Sequence, residues 1–167
     1  MPTILRRRAV TVIAAVISFI AIPAGIAVTA VPALAASPIC NSFGNQYCIG
    51  APGISSGDPV ELTLSGRQIN EVAQNFTCCH GQEVYQLQFS ADTSKCVGVS
   101  SIGLTTVRDC SAGNASNVNW AKEPQTDGSV EWFSNPMNGF LASDNGLGDQ
   151  LFVTAAACNG CLLKWNR

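Results

Sequence analysis

The chain has one histidine, two methionines and only 12% charged residues in 167. A single histidine leaves no material for a multi-histidine metal site. No His-Glu-x-x-His run, Gly-x-Ser-x-Gly elbow or phosphate-binding glycine loop occurs either. No cofactor or metal is therefore expected. Basic residues are also scarce: nine Lys and Arg stand against eleven Asp and Glu, and Arg6, Arg7 and Arg8 account for three of the nine. Beyond that cluster six basic residues face eleven acidic ones, a net charge of −5 with no basic stripe. That balance argues against nucleic acid and anionic membranes as partners.

Apolar sequence dominates the N-terminus. After Arg6–Arg8 an apolar run starts at Ala9 and ends in the small-residue sequence Ala33-Leu34-Ala35. A basic start, an apolar middle and an Ala-x-Ala end are the marks of a secretory signal. Residues 1–35 are read as that signal, cleaved before Ala36. Pro23, Gly25 and Pro32 interrupt the run, which weakens its reading as a membrane anchor, and no stable membrane insertion is expected after cleavage. Residues 36–46 form a short polar lead-in, and 47–167 a single domain. The expected location is secreted and extracellular. All eight cysteines lie beyond the signal; an even count in an exported chain points to a disulfide framework.

A repeat organises the rest. Opening strands are expected at Tyr47-Cys48-Ile49-Gly50, Lys95-Cys96-Val97-Gly98 and Gly139-Phe140-Leu141-Ala142. Glycine turns entering a second, alternating strand follow at Gly57, Gly103 and Gly148, spaced by 46 and 45. A closing aromatic comes last, at Phe76, Trp120 and Trp165, spaced by 44 and 45. Val60, Leu62 and Leu64 alternate with polar residues and are read as inward-facing. Arg67–Phe76 reads as either a short helical turn or an irregular strand. Glu83–Ser90 and Ser129–Ser134 read as strands. Four short strands in each of three repeats predict an all-β barrel closed by pseudo-threefold symmetry, which removes exposed sheet edges. Its expected core is Ile49, Val60, Leu62, Phe76, Leu87, Val97, Val107, Trp120, Leu141, Leu151, Val153 and Trp165.

The pattern Cys-Val-x-Val, Gly, x-Val-x-x-Cys, x-x-Trp over Lys95–Trp120 resembles the ricin-type β-trefoil lectin repeat. The match is looser over Tyr47–Phe76 and Gly139–Trp165. The resemblance implies a β-trefoil of three repeats of about 45 residues, stabilised by disulfides, and an intra-repeat bridge between Cys96 and Cys110. Tethering that loop would contribute about 3 kcal/mol by the chain-entropy estimate. Where the family closes a repeat with Gln-x-Trp, this chain has Gln74-Asn75-Phe76, Val118-Asn119-Trp120 and Leu163-Lys164-Trp165. The resemblance also implies a sugar-accepting aspartate two residues after the first cysteine and an aromatic platform at the end of the second strand. The matching positions here are Gly50, Gly98 and Ala142, with Thr63, Arg108 and a residue near Ala155 as platforms. The usual site is thus missing three times.

Other sugar-binding material is Trp132-Phe133-Ser134-Asn135 together with Ser143-Asp144-Asn145: an aromatic face beside a carboxylate and amides. Trp132, Asp144, Asn145 and, at the family's amide position, Asn117 are the candidate ligand-binding residues. Against this, Trp132 fits a core position and Asp144-Asn145-Gly146 fits a turn. Among the remaining cysteines, proximity assigns Cys40 to Cys48. Cys158-Asn159-Gly160-Cys161 reads as a small structural loop. Cys78 and Cys79 bridge each other or exchange with those partners. Cys78-Cys79-His80 holds thiols beside an imidazole, but neighbours in sequence rarely form a catalytic dyad, and no enzyme activity is expected.

The expected function is a secreted, non-catalytic module binding a glycan or cell-wall polysaccharide through a degenerate site. The alternative is a protein-binding adapter subunit of a secreted complex, or a protease-inhibitor-like trefoil. The adapter would bind through the parts that break threefold symmetry: the lead-in 36–46, the Cys78–Gly81 insertion and the Cys158–Cys161 loop. Exposed Trp132 beside Asp144 would favour sugar; an exposed apolar patch on the insertion would favour a protein.

Overall fold

The short alternating runs of the sequence become strands in the computed structural model, which describes residues 36–42, 47–111, 115–144, 146–155 and 163–166. These all fall in one unit, Val31–Arg167. The expected signal 1–35, Asn145, Cys158 and Cys161 lie outside the described residues. Among those described there are twelve strands: β1 Cys40–Asn41, β2 Cys48–Gly50, β3 Glu61–Thr63, β4 Ile69–Thr77, β5 Glu83–Phe89, β6 Lys95–Val99, β7 Thr105–Asp109, β8 Asn119–Pro124, β9 Val130–Ser134, β10 Gly139–Ala142, β11 Phe152–Thr154 and β12 Trp165–Asn166.

All named pairings are antiparallel, and one of them recurs in all three repeats. In each repeat the second and third strands form a hairpin: β2 with β3, β6 with β7, β10 with β11. Gly57, Gly103 and Gly148, the three glycines of the repeat, all have positive φ, at 100°, 83° and 83°. A side chain there would be strained, so the turn chemistry read from sequence holds. The three hairpins meet in a ring. Val60 N–H donates to the Thr105 carbonyl at 3.2 Å, Thr105 N–H to Leu151 at 2.9 Å, and Leu151 N–H to Val60 at 2.8 Å. The Thr105 hydroxyl, fully buried, lies 2.8 Å from the Leu151 carbonyl and 3.2 Å from that of Val60.

The core is built from the inward positions of this frame. Ile49, Val60, Leu62, Leu87, Val97, Val107, Trp120, Leu141, Leu151 and Trp165 are buried, with Val153 packed against them. The two closing tryptophans each make the equivalent hydrogen bond within their own repeat. Trp120 Nε1–H donates to the Val97 carbonyl at 2.8 Å, and Trp165 Nε1–H to that of Leu141 at 3.2 Å. Each indole thus fills the core and satisfies the polar atom that burial would otherwise strand.

One expected core residue, Phe76, and one residue read as inward-facing, Leu64, are not buried. Phe76 is 49% exposed and Leu64 is 69% exposed. Leu64 fails because β3 stops at Thr63 and the chain turns through Gly66, whose N–H bonds to Thr63 Oγ1 at 2.9 Å. Phe76 fails because the closing position of the first repeat is Ile69. Ala121 and Phe140 both pair with Phe133, while Asn70 and Cys96 both pair with Gln88. The residue before Asn70, Ile69, therefore stands where Trp120 stands in the second repeat, and it is fully buried. Arg67–Phe76 is accordingly not a helical turn: all of it from Ile69 onward runs in β4, a strand with an irregular register.

If Ile69 closes the first repeat, Ile69→Ala will lower unfolding stability by about 2–5 kcal/mol, whereas Phe76→Ala will lie within about 0.5 kcal/mol of the parent. Urea unfolding of both variants reads this directly; equal losses would return Phe76 to the core.

Candidate functional site

The positions that the lectin-like pattern marks are filled by neighbouring side chains. A Cβ added at Gly50 would meet Thr63 Oγ1 at 2.4 Å, and one at Gly98 would meet Arg108 Cδ at 2.6 Å. Thr63 and Arg108 therefore lie over the glycines, occupying the space an aspartate would need. In the third repeat Ala142 is fully buried. Asn117 sits half-buried in the 3-10 turn Ala115–Val118 before β8. On the rim of the second repeat, hydrogen bonds from Lys95 and Ser56 hold the Asp109 carboxyl below the ordinary carboxylate range.

Trp132 does not offer a face to solvent. It is 1% exposed, one of the core residues. On β9 it pairs with Lys122, and its ring meets Tyr85 edge-on with centroids 6.2 Å apart. Lys122 Nζ lies 5.5 Å from both ring centroids and 2.5 Å from the carboxylate of Glu71, whose side chain is buried. The reading of Trp132 as a sugar platform is thereby corrected: alternation on β9 points it inward. Asp144 is exposed whereas Trp132 is buried.

The structure instead places an aromatic surface where threefold symmetry breaks. β4 and β5 form a hairpin closed by His80 and Gly81, both at positive φ (57° and 73°), with Gln82 N–H on the Cys79 carbonyl at 3.2 Å. Two consecutive left-handed residues make a type I′ turn, whose twist matches a hairpin. Along β4 the register jumps between Ala73↔Tyr85 and Thr77↔Glu83. Four residues of β4 therefore oppose two of β5, a bulge centred on Asn75 with φ 58°. Bulges re-aim the side chains beside them, and this one turns Phe76 outward.

The result is a groove of about 570 Å³ lined by Ala73, Asn75, Phe76, Thr77, Glu83, Val84 and Tyr85. Tyr85 Oη donates to Glu83 Oε2 at 2.7 Å, fixing a hydroxyl and a carboxylate at one wall. A smaller cavity of about 140 Å³, lined by Phe76, Cys78, Val84, Ser116, Asn119 and Asn135, shares Phe76 and Val84 with it. The hairpin tip is tied to the barrel: His80 Nδ1 lies 2.6 Å from Glu123 Oε1, and the His80 ring is 5.0 Å from that of Phe133. The spacing of the sequence puts Phe76 in the core, and Glu83 and Tyr85 read from it only as part of the strand Glu83–Ser90. The available signal was the Cys78–Gly81 insertion, which has no counterpart in the other repeats.

Cys40 is bonded to Cys48 and Cys96 to Cys110, as expected. Cys78 and Cys79 are free, half-buried thiols, which corrects their assignment to disulfides. Burial, and then the hydrogen bond and proximity of Cys78, push the Cys79 thiol up to about 11. A thiol protonated at neutral pH is a poor nucleophile. No group of three or more His, Cys, Asp or Glu that could hold a metal ion occurs among the described residues.

No family model matches this chain, and no curated protein does. Solved structures match in fold. The Haemophilus ducreyi cytolethal distending toxin is similar at TM-score 0.58 and 10% identity, over 77% of this chain and 80% of that one. A designed threefold-symmetric protein, ThreeFoil, is similar at TM-score 0.58 and 13% identity, over 77% and 94%. A mosquitocidal holotoxin is similar at TM-score 0.62 and 14% identity, over 81% of this chain and 17% of that one. With identities this low the likeness establishes architecture alone: the chain is an all-β, disulfide-bonded β-trefoil.

The raised Cys79 value has a kinetic and a thermodynamic consequence. At neutral pH Cys79 will alkylate far more slowly than an unhindered thiol, and its rate will climb only toward pH 11. Its folded value is raised, so its contribution to stability is complete below the ordinary thiol range, about 8.5, and is lost as pH rises through 11. Iodoacetamide labelling followed by peptide mass analysis across pH 7–11 checks this; a midpoint near that of a free thiol would mean that Cys79 is not shielded.

Proposed function

We propose that this protein is a secreted, non-catalytic binding module that holds carbohydrate in the groove between β4 and β5. The observation that carries the reading is the exposed Phe76 ring standing beside Asn75, Thr77, Glu83 and the Tyr85 hydroxyl in one concave surface. Pyranose rings present an apolar C–H face and a rim of hydroxyls. An aromatic ring stacks on the face, while a carboxylate and an amide bond the rim. Glu83 is held by the Tyr85 hydroxyl through one oxygen, which leaves its second oxygen to accept from a sugar.

A second reading, a protein partner, has its own support. Trp132 is buried, and the exposed aromatic lies at the base of the insertion, where an adapter surface was anticipated. The polar character of the groove weighs against it: the walls around Phe76 carry an amide, two hydroxyls and a carboxylate rather than the dry apolar centre of a protein hot spot.

The test is a glycan and polysaccharide binding screen on the oxidised mature protein, with Phe76→Ala and Glu83→Gln beside it. The parent will bind at least one saccharide, and each substitution will weaken it about tenfold, the equivalent of about 1.4 kcal/mol. Trp132→Phe will leave binding unchanged. A folded protein that binds no saccharide overturns the carbohydrate reading in favour of a protein partner.

A further inference from the structure

The small cavity beside Phe76 has a chemistry of its own. At about 140 Å³ it is well below the roughly 300 Å³ at which pockets begin to enclose a whole drug-sized ligand. It suits a substituent rather than a sugar ring. Phe76, Val84 and Cys78 supply apolar contact on the hairpin side. Ser116, at the 3-10 turn before β8, Asn119, the first residue of β8, and Asn135, just past β9, supply polar groups on the other. The Asn119 Oδ1 atom is buried and has no hydrogen-bond partner. Buried side-chain oxygens are rarely left unbonded, and this one belongs to a residue that lines the cavity.

We propose that this cavity receives the acetamido group of an N-acetylated amino sugar whose ring lies in the adjoining groove. The inference rests on the carbohydrate reading of that groove and names its substrate class. The acetamido methyl packs between Phe76 and Val84. A turn of the Asn119 side chain, whose Oδ1 is buried in this structure, lets that oxygen accept from the acetamido N–H, and the acetamido carbonyl accepts from the Ser116 hydroxyl or the Asn135 amide. An acetamido group carries one donor and one acceptor, so it complements the Asn119 amide in either orientation of that amide. A hydroxyl at the same ring position would leave the apolar wall uncovered. An ammonium would place a charge against it and could not accept from Ser116 or Asn135. The shared residues Phe76 and Val84 make the two spaces neighbours, so one ring can stack in the groove while its substituent enters the cavity.

Three tetrasaccharides with the same β-1,4 backbone separate the possibilities: the N-acetylglucosamine, glucosamine and glucose forms. Calorimetry on the oxidised mature protein will show the N-acetylated form bound at least about tenfold more tightly than either of the others, the scale of one satisfied buried hydrogen bond. Asn119→Ala will erase that preference. Replacing Ser116 and Asn135 together by alanine, both at exposed positions, will reduce it even if the Asn119 substitution unfolds the chain. Saturation-transfer NMR needs no substitution and will place the acetyl methyl among the most strongly irradiated ligand protons. Equal affinity for all three tetrasaccharides, or an acetyl methyl that receives no transfer while the ring protons do, overturns the inference and leaves the carbohydrate reading intact. No binding to these or any other saccharide by the folded protein overturns both.

Discussion

The three-membered ring of backbone hydrogen bonds joining Val60, Thr105 and Leu151 is the constraint on which the structure depends. Each residue is the same point in its own repeat, each is buried, and each gives one hydrogen bond to the next and takes one from the last. No repeat can satisfy these groups alone. A buried amide left without a partner costs about 1–3 kcal/mol, so the ring couples the three hairpins into one cooperative unit. Thr105 adds its hydroxyl to the same carbonyls, which accounts for a polar residue at a fully buried position.

Once the ring and the indole hydrogen bonds of Trp120 and Trp165 fix the barrel, what sets one repeat apart from another is what the repeats do not share. Each symmetric glycine position is covered by the side chain that follows it on the next strand, Thr63 or Arg108. The first repeat alone lacks a closing tryptophan; Ile69 takes the smaller role, and Arg67 N–H occupies the Ile49 carbonyl at 2.9 Å that an indole would otherwise use. The length this frees goes into the extended β4–β5 hairpin, its bulge and its type I′ turn. The Glu71–Lys122 ion pair stands beneath that hairpin, with Lys122 against the Tyr85 and Trp132 rings. Buried pairs of this kind are weak sources of net stability but costly to break on one side, so they hold a surface in one arrangement.

The barrel was legible in the sequence because three independent features recur at one period: an opening strand, a glycine turn and a closing residue. Positions such as Leu62, Val107 and Trp165 followed from alternation and phase alone. The disulfides Cys40–Cys48 and Cys96–Cys110 were legible for different reasons, short separation in one case and the repeat pattern in the other. The groove was not. Phe76 falls on the aromatic spacing by number, but the first repeat has already closed at Ile69, and the bulge at Asn75 then turns Phe76 outward; a left-handed asparagine leaves no periodic trace. Trp132 misled in the opposite sense: an aromatic beside polar residues reads as a surface, and only the pairing of β9 with β8 and β12 shows which face it takes.

The closure of the barrel between its first and last strands is a thin seam. β1 meets β12 through two residue pairs, Cys40↔Asn166 and Asn41↔Trp165, whereas β6 meets β7 through five. The Cys40–Cys48 bond fastens β1 to β2, so when this seam breathes the first strand stays in place and the last one lifts. Local openings of this kind set the rate at which buried amides exchange with solvent. Trp165 would then be the first large core residue to meet water, and its indole emission a natural reporter of excursions that leave the rest of the trefoil closed.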